Sequence, residues 1–122
     1  MKLVIQGRLP GLNEYIDDCR RDPRKGNRTK REAEETVIWW AKASLRGKLP
    51  TPCIMHYTWY EPNRKRDKDN ISAFGRKVIQ DALVKAKYLP GDGWAHIESF
   101  TDDFAVDAKN PRIEVTFEEA RK

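Results

Sequence analysis

Two carboxylates, Asp67 and Asp69, lie two residues apart inside a run of cations, in the segment Arg64-Lys65-Arg66-Asp67-Lys68-Asp69-Asn70. Carboxylates bind hard divalent metal ions, and lysine and arginine attract phosphate. A metal ion held there can polarise a phosphodiester, activate a bound water and stabilise the leaving oxygen. Acids repel phosphate, so a surface that only bound nucleic acid would gain nothing from them. The segment therefore indicates metal-assisted hydrolysis of a nucleic acid, with Mg²⁺ as the metal.

The spacing of these acids leaves two interpretations open. On an extended chain Asp67 and Asp69 point to the same side, roughly 6.6 Å apart at the backbone, and can share one Mg²⁺. Alternatively, Asp69 or Asn70 caps a helix that follows, and Asp67 pairs with a neighbouring arginine. An EF-hand does not fit, because Ile71 stands where a third oxygen ligand is needed.

Asp92 is the candidate third carboxylate, in the turn Gly91-Asp92-Gly93. A carboxylate held in that turn can fold back toward the end of the preceding strand if the two strands are neighbours in the sheet. The alternative is an ordinary turn aspartate, which is common beside glycine.

The chain has 122 residues and a formal net charge of +5, and seven of the twelve residues in 20–31 are basic. Together with the cations around Asp67, this second patch indicates a polyanionic partner, with nucleic acid first among the candidates. We expect Arg24, Lys25 and Arg28 to contact the DNA backbone; the alternative is a surface that is basic for solubility. The two cysteines have no zinc-ligand spacing, and no apolar run resembles a signal peptide or a membrane span. The sequence predicts a single, reduced, cytoplasmic domain over residues 1–122.

The pattern of apolar residues predicts an α+β domain, with two helices packed on a small mixed sheet in the order βαβαββ. A capping box at Thr29 and Glu32 predicts the start of the first helix, and the polar stretch from Asn13 to Asn27 is expected to be a long loop. The remaining elements are predicted as strands at 2–8, 53–60, 96–104 and 112–117 and a second helix from about residue 70 to residue 83.

The motif Arg66-Asp67-Lys68-Asp69-Asn70 resembles the RusA family of Holliday-junction resolvases, small endodeoxyribonucleases common in phages and prophages. The resemblance extends to a helix that carries Lys77 and Asp81-Ala82-Leu83, to Asp92 in a turn, and to the early segment Leu9-Pro10-Gly11-Leu12-Asn13-Glu14-Tyr15. It covers residues 3–117, which is most of the chain. The D-x-D-N core is specific only in this context, between an aromatic strand and this helix.

The resemblance implies a RusA-like fold and a homodimer that cuts four-way DNA junctions symmetrically with Mg²⁺ or Mn²⁺. It implies that Asp67, Asp69 and Asp92 are the catalytic metal ligands and that Asn70 supports them. It also implies a functional lysine, which Lys77 matches with a longer spacing than is common in the family.

A helix that begins at Asn70 puts Lys77 about 12 Å along the axis from Asp69. Either the helix begins later, near Gly75, or Lys77 serves binding rather than catalysis. Asp81 is expected to form a salt bridge with Lys77 or Lys85.

Two further hypotheses remain beside a junction resolvase. The protein could be a non-catalytic, basic nucleic-acid-binding phage protein whose acids cap helices and pair with arginines. It could also be a nuclease with the same chemistry that acts on forks, flaps or RNA. The arginines and lysines of the motif, Arg64, Lys65, Arg66 and Lys68, are expected to contact nucleic acid under each hypothesis.

Overall fold

The computed structural model describes residues 1–120, which form four strands and three helices in the order βααβαββ. None of the three helices described is both long and apolar enough to cross a lipid bilayer. The elements are β1 (Lys2–Gln6), α1 (Leu12–Arg21), α2 (Pro23–Ser44), β2 (Cys53–Glu61), α3 (Lys68–Lys85), β3 (Ile97–Val106) and β4 (Arg112–Glu119).

The strands form one mixed sheet in the order β1-β4-β2-β3, in which β4 is antiparallel to both neighbours and β3 is parallel to β2. Every second side chain of β2 is buried, as expected for a strand with one face against a core. The buried row of β2 consists of Cys53, Met55, Tyr57, Trp59 and Glu61. Because β2 and β3 are neighbours and parallel, the end of β2 lies beside the end of β3 at the N-terminus of α3.

Gly75 allows α3 to pack directly on Trp59 of β2. A Cβ atom at Gly75 would lie 2.9 Å from two ring carbons of Trp59, so a larger residue would force the helix away. The Trp59 indole N–H donates to Asp102 of β3 at 2.9 Å, and Arg76 of α3 donates to the same carboxylate at 2.6 Å. These contacts connect α3, β2 and β3, and they hold the middle of α3 close to both strands.

The prediction of an α+β domain with a small mixed sheet is confirmed, and the predicted strand at 53–60 is β2. The predicted order βαβαββ with two helices is wrong, because the described residues contain a third helix. The stretch from Asn13 to Asn27 is not a loop, since it forms most of α1 and the beginning of α2.

Residues 12–21 form a helix rather than a loop because four side chains recur at helical spacing: Leu12, Tyr15, Ile16 and Cys19. Leu12 and Tyr15 pack against the core, where the Tyr15 ring stacks on Phe74 with centroids 4.3 Å apart. These side chains are half-buried, because α3 covers Tyr15 through Phe74 and α2 lies against Cys19 at Gly26.

The capping box predicted at Thr29 is wrong, because α2 begins six residues earlier at Pro23. Asp22 occupies the N-cap, and its carboxylate accepts a hydrogen bond from the Arg24 N–H at 2.9 Å. Proline at the first helical position is favourable, since it has no N–H to satisfy there. Thr29 lies inside the helix, where its hydroxyl is 2.8 Å from the Asp18 carboxylate and connects α2 to α1.

Candidate functional site

A groove of about 470 Å³ lies where the end of β2, the N-terminus of α3 and the edge strand β3 meet. One part of its wall is charged, with Asp67 beside the cations Arg64, Arg66 and Lys68. The other part is largely apolar and consists of Ile71, Phe104, Ala105 and Val106.

Asp67 and Asp69 both lie at the N-terminus of α3. Asp67 is the N-cap residue with an extended backbone (φ −66°, ψ 151°), but its side chain caps no N–H group, and Asp69 lies in the first turn. Both side chains are exposed, and neither forms an ion pair with any residue in 1–120. The positive end of the helix dipole favours carboxylates at these positions. Of the two interpretations, an extended chain through both acids is wrong for Asp69. The alternative is wrong as well, because the N-cap is Asp67 rather than Asp69 or Asn70 and Asp67 pairs with no arginine in residues 1–120.

Asn70 connects the start of α3 to the start of α1. Its side-chain oxygen accepts a hydrogen bond from the Asn13 N–H at 2.8 Å. A Cβ atom at Gly11 would lie 2.8 Å from that oxygen, so a larger residue at this position would displace the Asn70 amide. Asn70 therefore has a positioning role: it satisfies an N–H group at the start of α1 and holds the two helix ends together.

Arg66 and Glu61 form a largely buried, bidentate ion pair in the wall of the groove. The distances are 2.8 Å from Nη2 to Oε2 and 3.0 Å from Nε to Oε1, and the side chains are 14% and 6% exposed. Arg66 also donates to the Leu9 carbonyl at 3.2 Å. The Arg66 guanidinium therefore donates its hydrogen bonds to groups of the protein itself. The predicted contact of Arg66 with DNA stays a prediction. The sequence interpretation missed Glu61, although it is the last residue of the alternating buried row of β2.

Lys77 lies between two carboxylates, with its Nζ 3.0 Å from Asp81 and 3.5 Å from Asp92. The predicted Lys77–Asp81 salt bridge is confirmed, and Lys85 instead pairs with Glu34 at 2.6 Å. Because α3 begins at Lys68, the alternative of a helix start near Gly75 is wrong. Lys77 and Asp69 thus lie on one continuous helix, about 12 Å apart along its axis.

Asp81 is the centre of an ion-pair cluster between α2 and α3, since it also lies 2.9 Å from the Nζ of Lys30. Burial favours the neutral form of Asp81, but the bonds from Lys30 and Lys77 outweigh it and lower the pKa of the carboxyl. The pKa of Lys77 is raised, first by its bond to Asp81 and further by Asp92. Bonding to Asp81 likewise raises the pKa of Lys30.

Replacement Asp81→Asn is expected to lower the free energy of unfolding by about 1–2 kcal/mol at neutral pH, because two charged hydrogen bonds are lost. The difference from wild type should shrink as pH falls from the ordinary Asp pKa of 3.8 through the lower pKa of the folded state, since the carboxyl protonates first in the unfolded chain and then in the folded one. It should also shrink as pH rises above the ordinary Lys pKa of 10.5, where the partners lose their charge. Urea unfolding of both proteins across pH measures this; a difference independent of pH would contradict the assignment.

The three aspartates predicted as metal ligands do not form one group in the described residues. Asp92 is grouped with Lys77, and across residues 1–120 no three His, Cys, Asp or Glu side chains are grouped so that they could hold a metal ion. Mg²⁺ in phosphoryl-transfer sites is usually held by one or two carboxylates together with substrate phosphate and water. Asp67 and Asp69 are both exposed and outside ion pairs among residues 1–120, so each carboxylate is open to such an ion; Asp67 also lines the groove. The role of Asp92 as a third ligand stays a prediction.

The basic residues predicted to contact DNA lie on two surfaces. Arg24, Lys25 and Arg28 lie in the first turns of α2 rather than in a loop, and the Arg24 side chain is 92% exposed. Lys25 pairs with Asp18, and Arg28 makes a loose, exposed pair with Glu32. The second surface is the groove segment, where Arg64, Lys65 and Lys68 are exposed.

Phe104 is the site residue that the sequence interpretation missed. It lies on the edge strand β3, beside Trp59 in the register, and it packs partly against the core while it lines the groove. Lys68 Nζ lies 5.7 Å from the centre of its ring. The alternation of Phe100, Asp102 and Phe104 in the sequence could have indicated that these side chains share one face of the sheet.

A scan against protein-family models matched no family to this chain, and a search of curated proteins matched no protein to it.

Proposed function

We propose that this protein is a metal-dependent endodeoxyribonuclease that cuts four-way DNA junctions. The observation that carries the proposal is the pair Asp67 and Asp69, two exposed carboxylates outside ion pairs at the positive end of α3. Asp67 lines the groove together with the cations Arg64 and Lys68. Carboxylates placed among cations in this way suit a metal ion and a phosphate together. The resemblance to the RusA family, which covers the same residues, supports the choice of substrate.

In this proposal Asp67 and Asp69 hold Mg²⁺ or Mn²⁺. Such an ion, when bound, polarises the scissile phosphate and lowers the pKa of a bound water. The chain itself supplies the rest of the site. Arg64 and Lys68 attract the phosphates that flank the cut, and the buried Arg66–Glu61 pair keeps the chain between β2 and α3 in place.

The active form is proposed to be a homodimer. A four-way junction must be cut at two symmetric positions to be resolved, and a two-fold protein supplies two identical sites for this. Measurement of the molar mass of the protein alone and with one junction equivalent tests the stoichiometry of two chains per junction.

The function is tested with a four-way junction labelled on each strand in turn, incubated with the protein and Mg²⁺, Mn²⁺ or a chelator. We expect paired, symmetric cuts that depend on the metal. A fork, a flap, a linear duplex and an RNA hairpin in competition at fixed salt identify the preferred substrate. If the protein binds these nucleic acids but cuts none of them with either metal, it is a non-catalytic binding protein and the proposal is wrong.

The basic first turns of α2 are proposed to contact the DNA backbone. The double replacement Arg24→Ala and Arg28→Ala is expected to weaken junction binding and to reduce the slope of log K against log salt by about two, because two phosphate contacts are lost. Binding titrations at several salt concentrations measure this. Cleavage in a single turnover at saturating protein should change little, since the carboxylates that Arg24 and Arg28 contact are Asp22 and Glu32 rather than the acids of the motif.

A control with the same loss of charge is Lys42→Ala with Arg46→Ala, near the opposite end of α2. An equal loss of affinity and slope in the control would mean that only the net charge matters and that the first turns of α2 make no specific contact.

A further inference from the structure

We propose that the groove beside Asp67 holds one unpaired nucleobase of the DNA, stacked on the ring of Phe104. This inference rests on the proposed function only in taking DNA as the ligand, and it concerns binding rather than cleavage. It assigns a role to the apolar half of the groove, which the carboxylates and the cations do not use.

The apolar half of the groove provides a fixed aromatic surface. Phe104 is held from behind by the core, and in the parallel register it lies beside Trp59, a residue that is almost fully buried. Ile71 and Val106 flank the same space; Ile71 is buried, whereas Val106 is 49% exposed. An aromatic side chain that is already held in place can stack on a planar base with little further loss of side-chain entropy.

The charges around the ring favour a nucleotide over an apolar peptide segment. Arg64 and Lys68 line the groove, and neither forms an ion pair within residues 1–120. A base is uncharged and aromatic, while its flanking phosphates are anionic, so one nucleotide satisfies both the ring and the cations. An apolar peptide would leave these cations without partners and would meet Asp67 as well.

The groove favours an unpaired base because a paired base is stacked between its neighbours and its faces are not accessible. Moving a base out of a duplex costs a few kcal/mol, and the cost is least where pairing is already lost. Branch points and bulges are therefore the DNA structures whose bases can enter.

Phe100 provides a matched comparison on the same strand. It is more exposed than most aromatic residues of the chain, at 46%, but the Arg76 guanidinium lies 4.6 Å from the centre of its ring. The Phe100 ring is thus covered closely by a cation that Asp102 holds in place, and it lies outside the lining of the groove. Over Phe104, by contrast, the Lys68 Nζ lies farther away, at 5.7 Å, and it has no ion-pair partner among residues 1–120, so it can move aside to meet a phosphate. Removal of the Phe100 ring tests whether any aromatic residue of β3 contributes to base binding, or only Phe104.

The experiment measures binding in chelator, without cleavage, to two end-labelled duplexes that differ at one position. One duplex carries a single unpaired adenine, and the other carries an abasic nucleotide in its place. We expect wild type to bind the adenine duplex about tenfold more tightly, because stacking on an aromatic residue contributes about 1–3 kcal/mol. Phe104→Leu should bind both duplexes equally, Phe104→Tyr should keep the preference, and Phe100→Leu should keep it as well.

A second readout uses 2-aminopurine in place of the unpaired adenine, since stacking on a protein ring quenches its fluorescence. Quenching is expected with wild type and Phe100→Leu and is expected to be lost with Phe104→Leu. Equal binding of the two duplexes by wild type, or a preference and quenching that survive Phe104→Leu, would overturn the inference. Absence of cleavage with intact base preference would refute the nuclease proposal alone, whereas cleavage without base preference would refute this inference alone.

Discussion

Asp69→Asn is expected to reduce metal-dependent junction cleavage by about 100-fold or more. A metal ion that activates a phosphodiester contributes several kcal/mol to the transition state, and each 1.4 kcal/mol, roughly, corresponds to a tenfold change in rate. Asparagine keeps the size of the side chain and removes the charge that holds the ion. Because a negative charge is removed from a surface that binds phosphate, the affinity for DNA in chelator should stay equal or increase. Single-turnover cleavage and binding titrations on one protein preparation measure both quantities.

The matched control for this prediction is Asp103→Asn. Asp103 is also an exposed aspartate without an ion pair in the described part of the chain, but it lies on β3 opposite Thr58, away from the buried face of the sheet. The variant Asp103→Asn should cleave within about twofold of wild type, since substitutions of exposed residues usually change stability very little. Equal cleavage by wild type and Asp69→Asn would remove Asp69 from the site.

The same assay assigns Asp92. If Asp92 is a metal ligand, as the resemblance implies, Asp92→Asn should lose cleavage to the same extent as Asp69→Asn. If Asp92 serves only as the second partner of Lys77, the loss should be small, because Asp81 continues to hold Lys77 at 3.0 Å. Cleavage by Lys77→Met, measured beside it, distinguishes a catalytic lysine from one that positions the loop before β3.

Glu61→Ala is expected to lower the free energy of unfolding by about 3–5 kcal/mol, because it leaves the largely buried Arg66 charge with only a longer, exposed contact to Glu14 at 3.6 Å. Both side chains are largely shielded from water, at 6% and 14% exposure, so solvent replaces little of the lost interaction. Urea unfolding followed by tryptophan fluorescence measures the change, and Trp59 in the core makes that signal sensitive to the fold.

Two further variants test the reason for this loss. Glu32→Ala removes the partner of Arg28 in a pair whose side chains are 66% and 60% exposed, and it should cost less than about 1 kcal/mol. Combining Glu61→Leu with Arg66→Met removes both charges and should recover much of the stability, since apolar replacements of a buried pair are often tolerated. A double variant as unstable as Glu61→Ala would show that packing, rather than the unpaired charge, sets the cost.

Local patterns in the chain predicted β2, the last two strands and α3 well. The alternation from Cys53 to Glu61 has the period of a strand with one buried face, and the apolar spacing after Asn70 has the period of a helix. The acids and cations of the motif were also visible, because their types and spacing are properties of the sequence itself.

The region from Leu12 to Thr29 was predicted poorly because its stabilisation comes from contacts distant in the chain. Tyr15 is stabilised by stacking on Phe74, 59 residues later, and Asn13 is stabilised by Asn70. A short helix with many charges is marginal on its own, and it forms here because α2 and α3 both pack against it, α2 through the bonds from Thr29 and Lys25 to Asp18.

Some residues of the candidate site could be predicted from the sequence, and others depend on the tertiary structure. The residues Asp67, Asp69, Arg64 and Lys68 follow from the motif, since they are close in sequence and any local structure keeps them close in space. The pairing of Asp92 with Lys77, the burial of Arg66 against Glu61 and the position of Phe104 in the groove all depend on how α3 packs across β2 and β3. Local spacing carries no information on that packing, because it is set by the summed burial of side chains from every element of the fold.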